Sequence, residues 1–327
     1  MPNAKVVFIT GLPEKIVEVV SGYTPEGFET EMVRGDAPID EQIKAVEDVD
    51  FILVFGASLD DKVLRAARKV QIVQLLAAGY DTINLRLLRE LKIPCCNNGG
   101  ANSLAVADHA VLLMLTLYKQ LLPAVASIRE GRWNAPIDGF NTFEIADKLV
   151  GVLGIGNIGR QVARRVQGFD ARVQYYDLFP LTDERERELG VKRVPIDELF
   201  RTSDIVTCHT PLTPDTYHMA NRERIGIMKP TAVLINTSRG AVVDEQALIE
   251  ALREGRIAGA GLDVFEKEPV AADNPLLSME NVAVTPHSAG TTWDTWFRRA
   301  EFAYRNIKGV WEGEPPMAVA QDYDIAN

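Results

Sequence analysis

Eighteen residues, Leu149–Val166, leave little freedom in the fold that must surround them. Leu149, Val150, Val152 and Leu153 place apolar side chains on both faces of an extended segment, the pattern of a strand covered by helices on each side. Gly154, Gly156 and Gly159 follow with the spacing G-x-G-x-x-G. The first glycine permits a tight turn, the second lets a pyrophosphate approach the backbone, and the third lets the helix that follows pack against the sheet. Ile158, Val162 and Val166 then recur at helical spacing, so the N–H groups of the first turn, at Asn157 and Ile158, face the phosphates.

A second apolar stretch, Ala171–Tyr176, ends in Asp177, eighteen residues past Gly159. A carboxylate there accepts hydrogen bonds from ribose hydroxyls and repels a 2′-phosphate. Leu178, Phe179 and Pro180 supply no arginine to hold such a phosphate. NAD is therefore the expected cofactor, rather than NADP.

A chain of 327 residues suits two domains rather than one core. The net charge of −11 and the lack of a basic stripe argue against nucleic acid. An anionic substrate must then be held by local positive groups. Cys95, Cys96 and Cys208 lie in apolar surroundings without metal-ligand spacing, so no metal and a reducing cytoplasm are expected. The N-terminal apolar run is too short for a signal peptide. Ala105–Leu122 is broken by Asp108, His109, Lys119 and Gln120, and is not expected to enter a membrane.

Before the glycine turn, strand-like runs at Val6–Thr10, Phe51–Phe55, Ile72–Leu76 and Ile93–Cys96 alternate with helical segments such as Asp40–Val49 and Asp60–Lys69, the order of a parallel sheet with crossover helices. The small-residue loop Leu76–Ile83 reads either as a carboxylate cradle or as a plain strand-to-helix turn. Asn97–Ser103 reads as a linker, and Ser103 opens a helix to about Leu122 that is apolar around most of its circumference. His109 on it is read as a packing residue. Gly131–Asp147 reads as an irregular loop. Past Asp177, strands are expected at Ile205–His209, Ala232–Asn236, Ala258–Val264 and Val282–Thr285. A helix is expected over Glu245–Arg253, with Asp244 as N-cap and Gly255 as its stop. A last helix, Thr295–Glu312, should bury Phe297, Phe302, Ile307 and Val310 and return to the first domain, followed by a short covering tail from Pro315.

Only four histidines are present. His209 ends a strand and suits a positional or cofactor-side role, whereas His218 sits in a polar segment and is expected to be solvated. His287 follows Asn281-Val-Ala-Val-Thr-Pro286 at a strand's C-terminal end, where open α/β sheets place their ligands. Two neighbouring strand ends present Arg239, and Asp263 with Glu266 and Glu268. An arginine to bind a carboxylate or keto oxygen, a histidine to move a proton, and a carboxylate to fix the imidazole tautomer are what hydride transfer to a 2-keto acid requires.

Taken together, Gly154–Gly159, His209-Thr-Pro-Leu-Thr213, Asn236-Thr-Ser-Arg-Gly-Ala-Val-Val-Asp244, Gly261-Leu-Asp-Val-Phe-Glu-Lys-Glu-Pro269 and Thr285-Pro-His287 resemble the D-isomer-specific 2-hydroxyacid dehydrogenases over nearly the whole chain. The resemblance implies an α/β architecture of two doubly wound parallel-sheet domains: a Rossmann NAD-binding domain over residues 102–288, and a discontinuous flavodoxin-like substrate domain over 1–101 plus 289–327. It implies His287 as acid/base, Glu268 as its partner, Arg239 orienting the substrate, and Asp263 on the nicotinamide side. Thr210 and Thr237 would line the cofactor, the Ala78-Gly79 backbone would receive the substrate carboxylate, and two copies would pair through the long helix from Ser103.

The pattern is not followed throughout. The carboxylate loop reads Ala77-Ala-Gly-Tyr-Asp-Thr82, which brings Tyr80 toward the substrate, and Val106-Ala-Asp-His109 replaces the common Val-Ala-Glu-His. Trp293 and Trp296 stand close after His287, as a pocket wall or as packing. Related branches oxidise phosphite, or bind partner peptides as NAD-sensing dimeric corepressors. Glutamate at 268 disfavours the formate-oxidising branch, which pairs its histidine with glutamine.

Overall fold

The computed structural model describes residues 3–133 and 139–320. The chain divides into two compact units, residues 1–102 with 291–327, and residues 103–290. In chain order the elements are β1 (Ala4–Thr10), α1 (Glu14–Ser21), β2 (Phe28–Arg34), α2 (Ile39–Val46), β3 (Phe51–Phe55), α3 (Asp61–Ala66), β4 (Ile72–Leu75), α4 (Leu85–Leu91) and β5 (Cys95–Cys96). Then come α5 (Ser103–Tyr118), α6 (Leu121–Arg129), β6 (Leu149–Leu153), α7 (Asn157–Gln167), β7 (Arg172–Tyr176), α8 (Asp183–Leu189), β8 (Val191–Arg193), α9 (Ile196–Thr202) and β9 (Ile205–Cys208). The last are α10 (Arg222–Gly226), β10 (Val233–Asn236), α11 (Glu245–Arg253), β11 (Gly259–Leu262), β12 (Val282–Val284) and α12 (Trp293–Trp311).

The first unit is a parallel sheet of order β2-β1-β3-β4-β5, the flavodoxin-like winding. One face buries Val7, Ile9, Ile52, Val54 and Val73 with Val63, Leu64 and Leu88. The other buries Phe8, Phe51, Leu53 and Ile72 with Val20 of α1 and Trp296, Ala300, Tyr304 and Ile307 of α12. Burial on both faces explains why these strands carry apolar runs rather than alternation. β2 escapes the sequence reading because it lies at the sheet edge, and its residues Phe-Glu-Thr-Glu-Met-Val-Arg bury one side chain fully, Val33. In α12 the inward face is Trp296, Ala300, Ala303, Tyr304 and Ile307, while Phe297, Phe302 and Val310 are only half-buried. Of the four expected contacts, Ile307 is thus in this core and Val310 packs against it, whereas Phe297 and Phe302 do not. After α12, Val319 forms an antiparallel bridge with Cys96, and Asn306 binds the Met317 backbone from both ends of its amide.

The second unit is a seven-stranded parallel sheet of order β12-β11-β10-β9-β6-β7-β8. Strand order reverses between β6 and β9, the switch point at which doubly wound sheets bind ligands. Ala107, Ala110, Leu113, Met114 and Leu117 of α5 share one core with Val162 and Val166 of α7. Leu199, Phe200, Leu248 and Leu252 cover the opposite face. The helix expected to reach Leu122 stops at Tyr118, because Gln120 takes a left-handed φ of 51°, and α6 leaves at 64° to α5. Among the described residues no single helix is long and apolar enough to cross a membrane. The loop expected over Gly131–Asp147 carries no helix or strand where it is described, and residues 134–138 of it lie outside the described part.

Candidate active site

Register sets the site. Tyr176, Leu153, Cys208, Asn236, Leu262 and Val284 are paired across β7, β6, β9, β10, β11 and β12. One residue further along each strand stand Asp177, Gly154, His209, Thr237, Asp263 and Thr285, in a single row at the C-terminal edge. Six motifs that are far apart in sequence become neighbours because parallel strands of matched length end together.

On one side of the switch point the glycine turn is built as its spacing requires. Gly154 has φ +93°, and a Cβ there would lie 2.8 Å from the His209 carbonyl carbon. A Cβ on Gly159 would lie 2.0 Å from Gly154 O, so the first turn of α7 can sit against the strand only without a side chain. Gly156, the N-cap of α7, is exposed and among the described residues has no atom within 4 Å of its Cβ position. The first-turn N–H groups at Asn157 and Ile158 therefore open on free space, at the positive end of an eleven-residue helix. Asp177 accepts the N–H of Ile155 at 2.7 Å and that of Phe179 at 2.8 Å. Among the described residues, Thr210 Oγ1 is buried with no hydrogen-bond partner. An open anion-binding helix end, an acid at the next strand and an orphaned buried hydroxyl are a donor set that fits a dinucleotide.

His209 is buried, with its ring nitrogens 2.8 Å from Thr207 Oγ1 and 3.4 Å from Thr237 Oγ1. Burial pushes its pKa down to about 3, so the ring is neutral near neutral pH and acts as a hydrogen-bonding wedge between β9 and β10.

On the other side, His287 Nδ1 lies 2.6 Å from Glu268 Oε2, while Glu268 Oε1 accepts the N–H of Phe265 at 3.0 Å. Glu268 can only accept, so Nδ1 carries the proton and Nε2 is left for a reacting group. His287 takes a left-handed φ of 51°, a conformation unusual for a residue with a side chain and one that the surroundings must enforce. Its N–H bonds Asp263 O at 2.8 Å, and the Asp263 carboxylate accepts the N–H groups of Ser288 and Ala289, each at 2.9 Å. Arg239 is half-buried and begins a turn whose next residue, Gly240, abuts Phe265 and Glu266: a Cβ on Gly240 would lie 1.9 Å from Phe265 C. The arginine turn and the Glu268 turn are thus packed together.

Two histidines differ from expectation or add to it. His218 is half-buried rather than solvated: Nε2 lies 2.7 Å from Glu266 Oε1, and its ring stacks on Tyr217 at 4.0 Å. His109 does more than pack, because Nε2 lies 2.8 Å from Thr285 Oγ1, a partner 176 residues away that no local pattern reveals.

In the first unit, the carbonyls of Leu76, Ala77 and Ala78 are bonded by Asn98 Nδ2, Asn98 N and Asn97 Nδ2. In trans peptides the N–H groups of Ala77, Ala78 and Gly79 then point the opposite way, as an anion cradle requires. Tyr80 packs on this unit's core, and Trp296 is buried in it with its ring 4.9 Å from that of Phe55, whereas Trp293 is exposed.

Residues 111–289 match the family model described as "D-isomer specific 2-hydroxyacid dehydrogenase, NAD binding domain". The chain belongs to the D-isomer-specific 2-hydroxyacid dehydrogenase family. A glyoxylate reductase of Korarchaeum cryptofilum (strain OPF8) is 39% identical over 323 residues, covering 97% of this chain and 96% of the relative. Among solved structures, D-lactate dehydrogenase from Aquifex aeolicus, complexed with NAD and lactic acid, superposes with a TM-score of 0.81 at 28% identity, covering 94% of this chain and 96% of that one. An acyclic imino acid reductase in complex with NADPH and D-Arg gives 0.84 at 28% identity, covering 96% and 99%. As a D-2-hydroxyacid dehydrogenase family member, this protein is an NAD-binding oxidoreductase of two parallel-sheet α/β domains.

Proposed function

We propose that this protein interconverts a small 2-keto acid and its D-2-hydroxy acid with NAD(H), that His287 is the acid/base, and that glyoxylate leads the candidate substrates. The 2.6 Å contact between His287 Nδ1 and Glu268 Oε2 carries the reading. The reduced nicotinamide supplies a hydride to the keto carbon when it is bound. His287, as imidazolium, gives its Nε2 proton to the keto oxygen and is left as the neutral Nδ1–H tautomer that Glu268 favours. Arg239 holds the carboxylate or keto oxygen by charge-assisted hydrogen bonds, and Ala78 and Gly79 offer backbone N–H groups to the carboxylate. Gly154, Gly156, Asn157, Ile158 and Gly159 receive the pyrophosphate, Asp177 the ribose, and His209, Thr210, Thr237 and Asp263 the remainder of the cofactor. Asp177 favours NAD over NADP. The glyoxylate reductase names among the relatives support the substrate assignment.

The same reading makes the protein a cytoplasmic homodimer. Leu112, Leu121, Leu122, Val125 and Ile128 are exposed on α5 and α6, an apolar surface that a second copy would cover. The test is NADH oxidation with glyoxylate, hydroxypyruvate, pyruvate and branched or aromatic keto acids, for the wild type and for His287→Gln. Turnover of glyoxylate that the variant loses supports the proposal. No NADH oxidation with any keto acid overturns it.

A further inference from the structure

Asp263 is 1% exposed, and its carboxylate is held by three donors from one short stretch of chain. Oδ1 accepts the Thr285 hydroxyl at 2.6 Å and Ser288 N–H at 2.9 Å, and Oδ2 accepts Ala289 N–H at 2.9 Å. The Thr285 side chain before His287 and the backbone after it are therefore fastened to this one buried carboxylate. His109 also faces it, with Nε2 at 3.8 Å from Oδ1.

Thr285 has a single hydroxyl proton, and that proton goes to Asp263. The 2.8 Å contact between Thr285 Oγ1 and His109 Nε2 must then carry its hydrogen on the imidazole. His109 consequently fixes the hydroxyl's direction. It sits on α5, whose neighbouring Ala107, Ala110 and Val111 are locked into the core of the same unit, so its height above the strand end is set by packing.

We propose that His109 is a positioning residue for His287: its Nε2–H aims the Thr285 hydroxyl at Asp263, whose carboxylate holds the Ser288 and Ala289 amides and with them the left-handed backbone that presents the imidazole. The kinetic part of this inference rests on His287 being the acid/base, while the structural part stands without it.

The experiment compares His109→Leu, His109→Gln, Thr285→Val and Thr285→Ser in the full chain, reading kcat and KM with glyoxylate, NADH affinity by fluorescence titration, and hydrogen exchange of the Ser288 and Ala289 amides. Losing one donor of this chain should lower kcat about ten-fold in His109→Leu and Thr285→Val and speed exchange of the two amides by a similar factor, with NADH affinity unchanged. Glutamine, which can donate from the same place, and serine, which keeps the hydroxyl, should restore both. Wild-type exchange in His109→Leu, or equal damage in His109→Gln, overturns the proposal. If the wild type reduces no keto acid, the acid/base reading fails and the exchange measurement still decides the role of His109.

Discussion

Asp177 Oδ2 accepts the N–H of Ile155 at 2.7 Å, which ties the acid at the end of β7 directly to the glycine turn that follows β6. The carboxylate is thus held beside that glycine turn, and the half-buried side chain stays partly open, within reach of ribose hydroxyls in the proposed cofactor site. Replacing Asp177 with Asn removes the charge that repels a 2′-phosphate. The ratio of kcat/KM for NADH to that for NADPH should fall by about ten-fold or more. An unchanged ratio would show that cofactor choice is made elsewhere.

Gly156 and Gly159 separate ligand approach from folding. A methyl group at Gly156 meets no atom of the described residues within 4 Å, whereas at Gly159 it would overlap Gly154 O. Gly156→Ala should melt like the wild type, yet bind NADH at least about ten-fold more weakly because the pyrophosphate needs that space. Gly159→Ala should lower the melting temperature as well. Full NADH affinity in the Gly156 variant would rule out pyrophosphate contact at that point.

The second unit was legible in the sequence because its signals are local. The glycine spacing, the N-cap at Asp244 with the αL stop at Gly255, and the apolar strands of a two-sided sheet each depend on residues close in the chain. Glu268 could be chosen over Glu266 only through its place before Pro269, and the structure puts these two acids on different histidines, His287 and His218. Edge elements were harder to read. β2 and β8 bury too few side chains to show a pattern, and the α5 break lies at the left-handed backbone of Gln120, a residue type that does not announce it. The His109–Thr285–Asp263 chain was beyond reach, since it exists only once α5 is laid against the ends of β11 and β12.

His209 gives the protein an acid-sensitive joint. Its folded pKa of about 3 lies below the ordinary histidine value of 6.5, so between those limits the unfolded chain binds a proton that the folded one does not. Stability conferred by the neutral ring is complete above the unfolded value and is lost as pH falls from about 6.5 toward 3, at up to about 1.4 kcal/mol per pH unit. The upper part of this window precedes the loss from Asp48 and Glu250, whose carboxyls are held down near 2 by Lys5 and Arg222, respectively, and start from lower unfolded values. Chemical denaturation at pH 6.5 and pH 5 should therefore show a drop that His209→Gln lacks. Parallel curves for the two proteins would mean that the ring protonates freely in the fold.

Glu268 serves two donors at once, Phe265 N–H on one oxygen and His287 Nδ1 on the other. Glutamine at this position offers a single acceptor oxygen, and its amide nitrogen would face one of the two N–H groups. Either the turn loosens or the imidazole loses the partner that sets its tautomer. His287→Gln, which removes the proposed proton carrier itself, should reduce kcat by about 10²–10⁴-fold while NADH binding persists. Glu268→Gln should fall short of that loss, since the imidazole remains, and should show its deficit in kcat rather than in NADH affinity. Steady-state rates from NADH absorbance, paired with fluorescence titrations of the cofactor, distinguish these outcomes. A Glu268→Gln enzyme with wild-type kcat would mean that the carboxylate serves the turn alone, and that His287 works without it.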